Sequence, residues 1–296
     1  MSRANGEVFG SGVRKYRTTI GPVLTVPHLR LGQLHTVIIL ESLAHSHPST
    51  SALEARSLRW HRAGRWIVDG VNLVVKPGEI VGLLGPNGAG KTVTLSMIVG
   101  LFQPTSGRVL IDGVDVTDLP LYKRARLGLG YLPQDRSIFT KLSAEDNVAA
   151  ILEAHGMASR PAHRRADDLL AQFGLTHVAQ SRAQQLSGGE QRRLEVARSL
   201  AIEPRFLLFD EPFAGIDPLT IESLHAILMG LREAGVGILI TDHNVRETLT
   251  LCNRAYVLFS GRVLAEGSPA DLVENDAVRE HFLGDSFDLV ADATTA

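Results

Sequence analysis

Short runs of consecutive apolar residues recur along most of the chain, separated by glycine turns and by polar segments with helical spacing. Runs at 80–84, 108–111, 206–209, 237–241 and 256–259 are four or five residues long, rich in Val, Ile, Leu and Phe, and lack the alternation of a half-exposed strand. Continuous apolar runs of that length read as strands covered on both faces. Strands alternating with helical stretches predict an α/β fold with a mostly parallel sheet. Between about 141 and 185 the strand pattern stops. Helical periodicity over 144–155 and 164–173 predicts a helical subdomain, about 136–190, inserted into the α/β body. Residues 1–52 show no sustained period and end in a His/Ser/Pro/Thr cluster, so they are expected to be a disordered N-terminal extension; 291–296 are expected to be a flexible tail. The cassette between them, 53–290, is read as the single folded unit.

Composition narrows the classes. Of the 296 residues, 44% are hydrophobic and 21% charged, which is ordinary for a globular chain. No apolar run approaches the roughly 20 residues that span a bilayer, so no direct membrane span is expected. A net charge of −2 without a long basic run gives no support for nucleic-acid binding. The only cysteine, Cys252, permits neither an intrachain disulfide nor a multi-cysteine metal site. Lysine is scarce, occurring at 15, 76, 91, 123 and 141, so a lysine inside a motif is informative.

Lys91 stands in such a motif. The run at 80–84 leads directly into Gly85-Pro86-Asn87-Gly88-Ala89-Gly90-Lys91-Thr92, which fits G-x-x-x-x-G-K-[ST] between a strand and a helix. Glycines let successive backbone N–H groups converge on a phosphate, and the helix starting near Gly90 adds its positive dipole end. Lys91 reaches the β and γ oxygens and Thr92 can ligate Mg²⁺; Thr94 is counted with the nucleotide-binding residues. The run at 206–209 ends in Asp210 and Glu211. Asp210 is placed to hold the Mg²⁺ shell, and Glu211 to orient or deprotonate an attacking water. Leu186-Ser187-Gly188-Gly189-Glu190 forms a second uncluttered helix entry, and hence a second anion-binding start.

Together with Gln134 and His243, these motifs resemble the ATP-binding subunits of ABC transporters over about 53–290. The resemblance implies a P-loop NTPase (RecA-like) core with a mostly parallel sheet, an antiparallel β portion and the inserted helical subdomain. It implies ATP and Mg²⁺ as cofactors and a homodimer in which ATP lies between the P-loop of one subunit and Ser187, Gly188 and Gly189 of the other. Asp217 then corresponds to the loop that crosses the interface. Gln134 links Mg²⁺ and water to the helical subdomain, and His243 is the switch histidine beside Glu211. An aromatic residue normally stacks on adenine at the position of Arg62; Trp60, His61 and Trp66 are the alternatives nearby. Phe139 and Leu142 are candidate anchors for an integral membrane permease subunit, the other reading being that they cap the helical core.

Within the family, the stretches 82–92, 130–134, 210–218 and 241–249 most resemble the lipopolysaccharide-export ATPases, which implies a cytoplasmic location, peripheral on the cytoplasmic face of the inner membrane. Branched-chain amino acid importer ATPases are the main alternative. A soluble ABC ATPase acting on ribosomes or DNA fits less well, because the chain has one P-loop and only 119 positions separate Lys91 from Asp210. The N-terminal extension is expected to be dispensable for ATP hydrolysis and to reflect a start assigned too far upstream.

Overall fold

The computed structural model describes residues 51–215, 217–284 and 287. The predicted extension, but for residues 51 and 52, and the predicted tail lie outside the described residues.

The strands form two sheets. The larger has six strands in the order β10-β9-β3-β8-β7-β6. These are β3 (Ile80–Leu84), β6 (Leu129–Leu132), β7 (Phe206–Asp210), β8 (Gly237–Thr241), β9 (Arg254–Phe259) and β10 (Arg262–Gly267). All neighbours are parallel except β9 and β10. β3, β7 and β8 are buried at every position, as their unbroken apolar sequences require. The smaller sheet is antiparallel, in the order β2-β1-β4-β5, from β1 (Leu53–Arg62), β2 (Arg65–Val75), β4 (Ser106–Ile111) and β5 (Val114–Asp115).

Two expectations change here. The strand expected at 108–111 belongs to the antiparallel sheet, not the parallel one; its first half is partly exposed and only Val109, Leu110 and Ile111 are buried. β1, β2, β5, β6 and β10 are not among the strands expected from the sequence. β1 interleaves Leu53, Ala55 and Leu58 with exposed polar positions and is interrupted by register shifts, so its period of two is broken. β6 is only four residues long, and its Gly130 faces Leu207 and Pro204 so closely that an added Cβ would lie 2.7 Å from Leu207 Cδ1.

Helix α1 (Lys91–Val99) follows β3, and the short α2 (Leu121–Arg126) precedes β6. Between β6 and β7 lie α3 (Ala144–Ala154), α4 (Ser159–Gln172) and α5 (Gly188–Leu200). Ser143 caps α3 by accepting the N–H of Asp146. α4 begins five residues before the expected 164, since Pro161 falls in its first turn, where no N–H is needed. Val148, Leu152, Ala166, Leu169, Leu170 and Leu194 interlock these helices in one apolar cluster that continues under β7 and β8. α6 (Pro218–Glu233) and α7 (Val245–Leu251) follow β7 and β8. Among the described residues no helix is long and apolar enough to cross a membrane.

One buried charge holds the P-loop helix from behind. Arg124 is 1% exposed, and its guanidinium donates to the carbonyls of Met97, Ile98, Thr117 and Leu119 at 2.6–2.7 Å. Two of those carbonyls belong to the last turn of α1, Met97 O also accepting the N–H of Gly100 at 3.3 Å, so the cation completes that helix end. Gly100 makes room for it: a Cβ there would lie 2.8 Å from Arg124 Nε. Burial pushes the guanidinium pKa down to about 10, with Asp115 and Asp118 opposing the shift. Replacing Arg124 by Met leaves four carbonyls without their donor, and the expected loss is about 4 kcal/mol. Thermal unfolding should show it as a fall of roughly 10 °C in melting temperature.

Candidate functional site

The phosphate loop is shaped by close approach of three backbone segments. Gly85, Gly88 and Gly90 have φ of 143°, 80° and 104°, values that side chains with a Cβ avoid. A Cβ on Gly85 would lie 2.2 Å from the Leu258 carbonyl oxygen at the end of β9, and one on Gly90 would lie 2.7 Å from the Ile67 oxygen in β2. Pro86 O accepts the Ala89 N–H, and Ala89 O accepts the N–H of Gly261. The loop is therefore wedged between the β1–β2 hairpin and the β9–β10 turn. Lys91, the first residue of α1, donates from Nζ to Gly85 O at 2.6 Å and Pro86 O at 3.2 Å. Burial lowers its pKa, and the charges of Glu211, Asp210 and Asp242 oppose that shift. Thr92 is exposed, whereas Thr94 is fully enclosed and its hydroxyl has no hydrogen-bond partner. Thr94 thus belongs to the packing beneath the loop and offers no surface to a ligand, contrary to the sequence reading.

Asp210 ends β7 opposite Thr241 of β8, whose hydroxyl donates to Asp210 Oδ1 at 2.6 Å. The carboxyl is 2% exposed; burial and the charge of Glu211 raise its pKa, while the Thr241 bond and Lys91 pull it down. A carboxylate so enclosed is stabilised by a cation at its remaining oxygen, and an oxygen-rich set with Thr92 and Gln134 suits Mg²⁺. Glu211 has φ of 49°, an uncommon conformation for a residue with a side chain. Its N–H donates to Thr241 O at 2.7 Å. Gln134 Nε2 donates to Glu211 Oε2 at 2.7 Å, and His243 Nδ1 stands 3.5 Å from the same oxygen. Three residues 109 positions apart in sequence, Gln134, Glu211 and His243, thus meet at one carboxylate.

Ser187 caps α5. Its hydroxyl accepts the N–H of Glu190, whose Oε2 accepts the N–H of Ser187 at 2.8 Å. The Ser187 hydroxyl also donates to Glu190 Oε2 at 2.6 Å, and that bond together with the Ser187 N–H holds Glu190 below the usual carboxylate range. Ser187, Gly188 and Gly189 line a cleft of ≈ 500 Å³ with Gln134, Glu211 and Asp217, and the P-loop does not contribute to it. Asp217 caps α6, its two carboxylate oxygens accepting the N–H and hydroxyl of Thr220 at 3.0 and 2.7 Å. The two phosphate-binding helix starts are therefore not joined in one pocket of this chain.

Arg62 stands at the β1–β2 turn, exposed, its guanidinium 5.9 Å from the Trp60 ring. Trp60 stacks on Phe102 at 5.3 Å, so one of its faces is already covered. His61 meets Trp66 edge to face at 4.9 Å.

A second depression, ≈ 290 Å³, is lined by Leu121, Leu129, Tyr131, Phe139, Ile151 and Arg198. Phe139, which lines it, is exposed, and so is Leu142. Beneath them is a network that sequence reasoning missed. Arg198 lies 5.3 Å over the Phe139 ring and donates to the carbonyl and hydroxyl oxygens of Ser137. Glu195 accepts the Ser137 N–H at 2.8 Å and pairs with Arg192 at 2.9 Å, while Arg136 donates to Gln191. The available signal was that Glu195 and Arg198 interrupt the buried face of α5.

The ABC transporter family profile matches residues 68–214. An uncharacterized ABC transporter ATP-binding protein of Rhizobium meliloti is 52% identical over 237 residues, covering 80% of this chain and 88% of its own. The chain belongs to the ATP-binding subunits of ABC transporters. The lipopolysaccharide export system ATP-binding protein LptB of Escherichia coli is 47% identical over 240 residues, covering 81% of this chain and all of its own. Among solved structures, a dimeric ABC cassette in a post-hydrolysis state, bound to ADP and phosphate, superposes with a TM-score of 0.66 at 28% identity, covering 73% of this chain and 98% of that one. This ABC transporter ATPase accordingly binds ATP, and the expected fold class holds: a parallel core, an antiparallel β portion and a helical region.

The loop geometry separates two glycines of the ATPase. Gly85→Ala drives a Cβ into the Leu258 carbonyl and should cost about 3 kcal/mol or more. Gly88→Ala meets nothing within 4 Å and pays only for its positive φ, about 1 kcal/mol. Chemical denaturation of both variants checks the ordering.

Proposed function

We propose that this ABC ATPase hydrolyses ATP in a head-to-tail dimer of two copies and thereby powers lipopolysaccharide export through membrane permease subunits. The observation that carries the dimer is the separation of the two helix starts. Lys91 and the loop 85–92 form one half-site, while Ser187, Gly188, Gly189 and Asp217 face a different cleft. One copy leaves each half-site open, and a second copy related by a two-fold axis closes two complete sites. The dimeric cassette with ADP and phosphate is a precedent for that assembly.

In the chemistry we infer, the backbone N–H groups of 85–92 and the Lys91 ammonium bind the β- and γ-phosphates. Lys91 leaves its contacts with Gly85 O and Pro86 O to do so. Thr92, Asp210 and Gln134 would hold Mg²⁺, which supplies charge neutralisation on the phosphates. Glu211 orients the water and accepts its proton; Gln134 and His243, both on Oε2, leave Oε1 available for that task. Arg62, at the turn of the hairpin beside the P-loop, covers the purine by cation–π stacking. Phe139 and Leu142 receive a helix of the permease at the cytoplasmic face of the inner membrane.

The export assignment rests on the Escherichia coli relative, which this chain matches over that protein's full length. Purification from native membranes tests it. Two export permeases and a single-span periplasmic partner are the expected companions, whereas a solute-binding importer overturns the assignment. Glu211→Gln is expected to lower ATP turnover by about 10² or more while leaving ATP binding intact, measured as steady-state phosphate release alongside nucleotide affinity.

A further inference from the structure

The turn after β8 carries a carboxylate that the proposed chemistry does not use. Asp242 has no exposed surface. Its Oδ2 accepts the N–H of Phe213 at 2.9 Å, and its Oδ1 accepts the N–H of Asn244 at 2.8 Å. Phe213 lies two residues beyond Glu211, in the turn after β7; Asn244 follows His243 and caps α7. A single side chain therefore bridges the two turns on which Glu211 and His243 stand. The His243 ring is held between them, with Nδ1 3.5 Å from Asp242 Oδ1 and 3.5 Å from Glu211 Oε2.

Two features argue that more than loop packing is involved. Enclosing a carboxylate beside Asp210 and Glu211 is unfavourable: burial and the Glu211 charge both push its pKa up, and the two backbone bonds and His243 work against them. A neutral side chain would fill the same space without that cost, but a carboxylate offers two accepting oxygens on opposite sides, and an amide offers one acceptor and one donor. Glu211 is also held at φ of 49°, a conformation that persists only where neighbouring contacts over-determine it. The Thr241 carbonyl restrains it from one side, and the Phe213 N–H anchored on Asp242 restrains it from the other.

We propose that Asp242 is a positioning residue for ATP hydrolysis, a clamp that fixes the Glu211 turn against the His243 turn and so sets the distance between those two side chains. This rests on the roles assigned to Glu211 and His243 above. In Asp242→Asn one backbone N–H meets an amide N–H instead of an oxygen, and the two turns part; the Lys91 hydrogen bonds to Gly85 O and Pro86 O are untouched, and the carboxylate charge that Lys91 loses at a distance does not weaken its hold on an anionic nucleotide.

The test uses the full-length purified protein with MgATP. For Asp242→Asn, kcat should fall by about tenfold or more, with KM and the ATP dissociation constant staying within about threefold of wild type. Adding His243→Ala to it should lower kcat by no more than about threefold further, because both act on the same geometry. A kcat near wild type overturns the proposal, as does ATP binding that weakens in parallel with kcat. A double variant that loses the product of the two single losses overturns it too. Should Asp242→Asn not fold, amide hydrogen exchange of the wild-type protein decides: Phe213 and Asn244 N–H groups should be protected together, and fast exchange at Phe213 sinks the clamp. If Glu211→Gln turned over ATP like wild type, the catalytic assignment itself would fail and the clamp with it. An inactive Glu211→Gln beside a fully active Asp242→Asn removes the clamp alone.

Discussion

The parallel register of β7 on β8 places Asp210 opposite Thr241, and the positions of Glu211, Asp242 and His243 follow from that alignment. Both strands are apolar until their last residue, so burial on both faces ties the register to the core rather than to the loops. Once Asp210 and Thr241 are paired, the two following turns emerge side by side. The Glu211 N–H finds the Thr241 carbonyl, and the next residue of each turn, Asp242 on one side and Glu211 on the other, flanks the His243 ring. A slip of one residue would move Asp210 to the opposite face and separate Glu211 from His243 altogether.

Charge in this region is arranged against its own desolvation. Asp210 and Asp242 have raised pKa values and Lys91 a lowered one, all chiefly through burial. Each of these shifts marks a group whose charged form lacks full solvation, a recurrent property of sites that bind ions or move protons. The carboxylates are partly compensated by donors from the protein: Thr241 for Asp210, the Phe213 and Asn244 amides for Asp242. Lys91 donates hydrogen bonds to two carbonyls of its own loop, and the charges of Glu211, Asp210 and Asp242 act on it as well. Its hydrogen bonds are therefore a resting arrangement with a ready competitor, since a phosphate oxygen is a stronger acceptor than a peptide carbonyl.

The chemistry was legible in the sequence because its elements are local. A strand, a glycine loop and a lysine lie within twelve residues, and an apolar run ends in two acids. What escaped was set by long-range packing. β1 and β2 read as polar because their bulged pairing breaks the period of two. Arg124 looks like one more surface cation in Leu121–Arg126, yet it is the most enclosed charge of the helix because Gly100 leaves space for it. Thr94 lies two residues past the motif and is fully buried. Glu195 and Arg198 carry no motif, and Asp242 stands beside His243 in the stretch 241–249 without a role that the stretch assigns; their contacts reach residues 58, 61 and 29 positions distant.

The segment 134–139 joins Gln134, at the Glu211 carboxylate, to Phe139, the two ends that the proposed coupling would link. At one end Gln134 is bonded to Glu211; at the other Phe139 is exposed under the Arg198 guanidinium and tied to α3 by Asn147, which accepts its N–H at 2.8 Å. Between them Ser137 is fixed to α5 through both Glu195 and Arg198. Six residues anchored in this way have little slack. A displacement imposed on Phe139 must either break the Ser137 contacts, which carry charge and are costly to lose, or carry α5 with it. α5 begins at Ser187, so the less costly outcome moves the second phosphate-binding helix start and leaves the Ser137 clamp whole. Those contacts to α5 thus give the short chain between groove and Glu211 the stiffness that a mechanical link needs, and they explain why buried charge is retained on a helix face that could otherwise have been apolar.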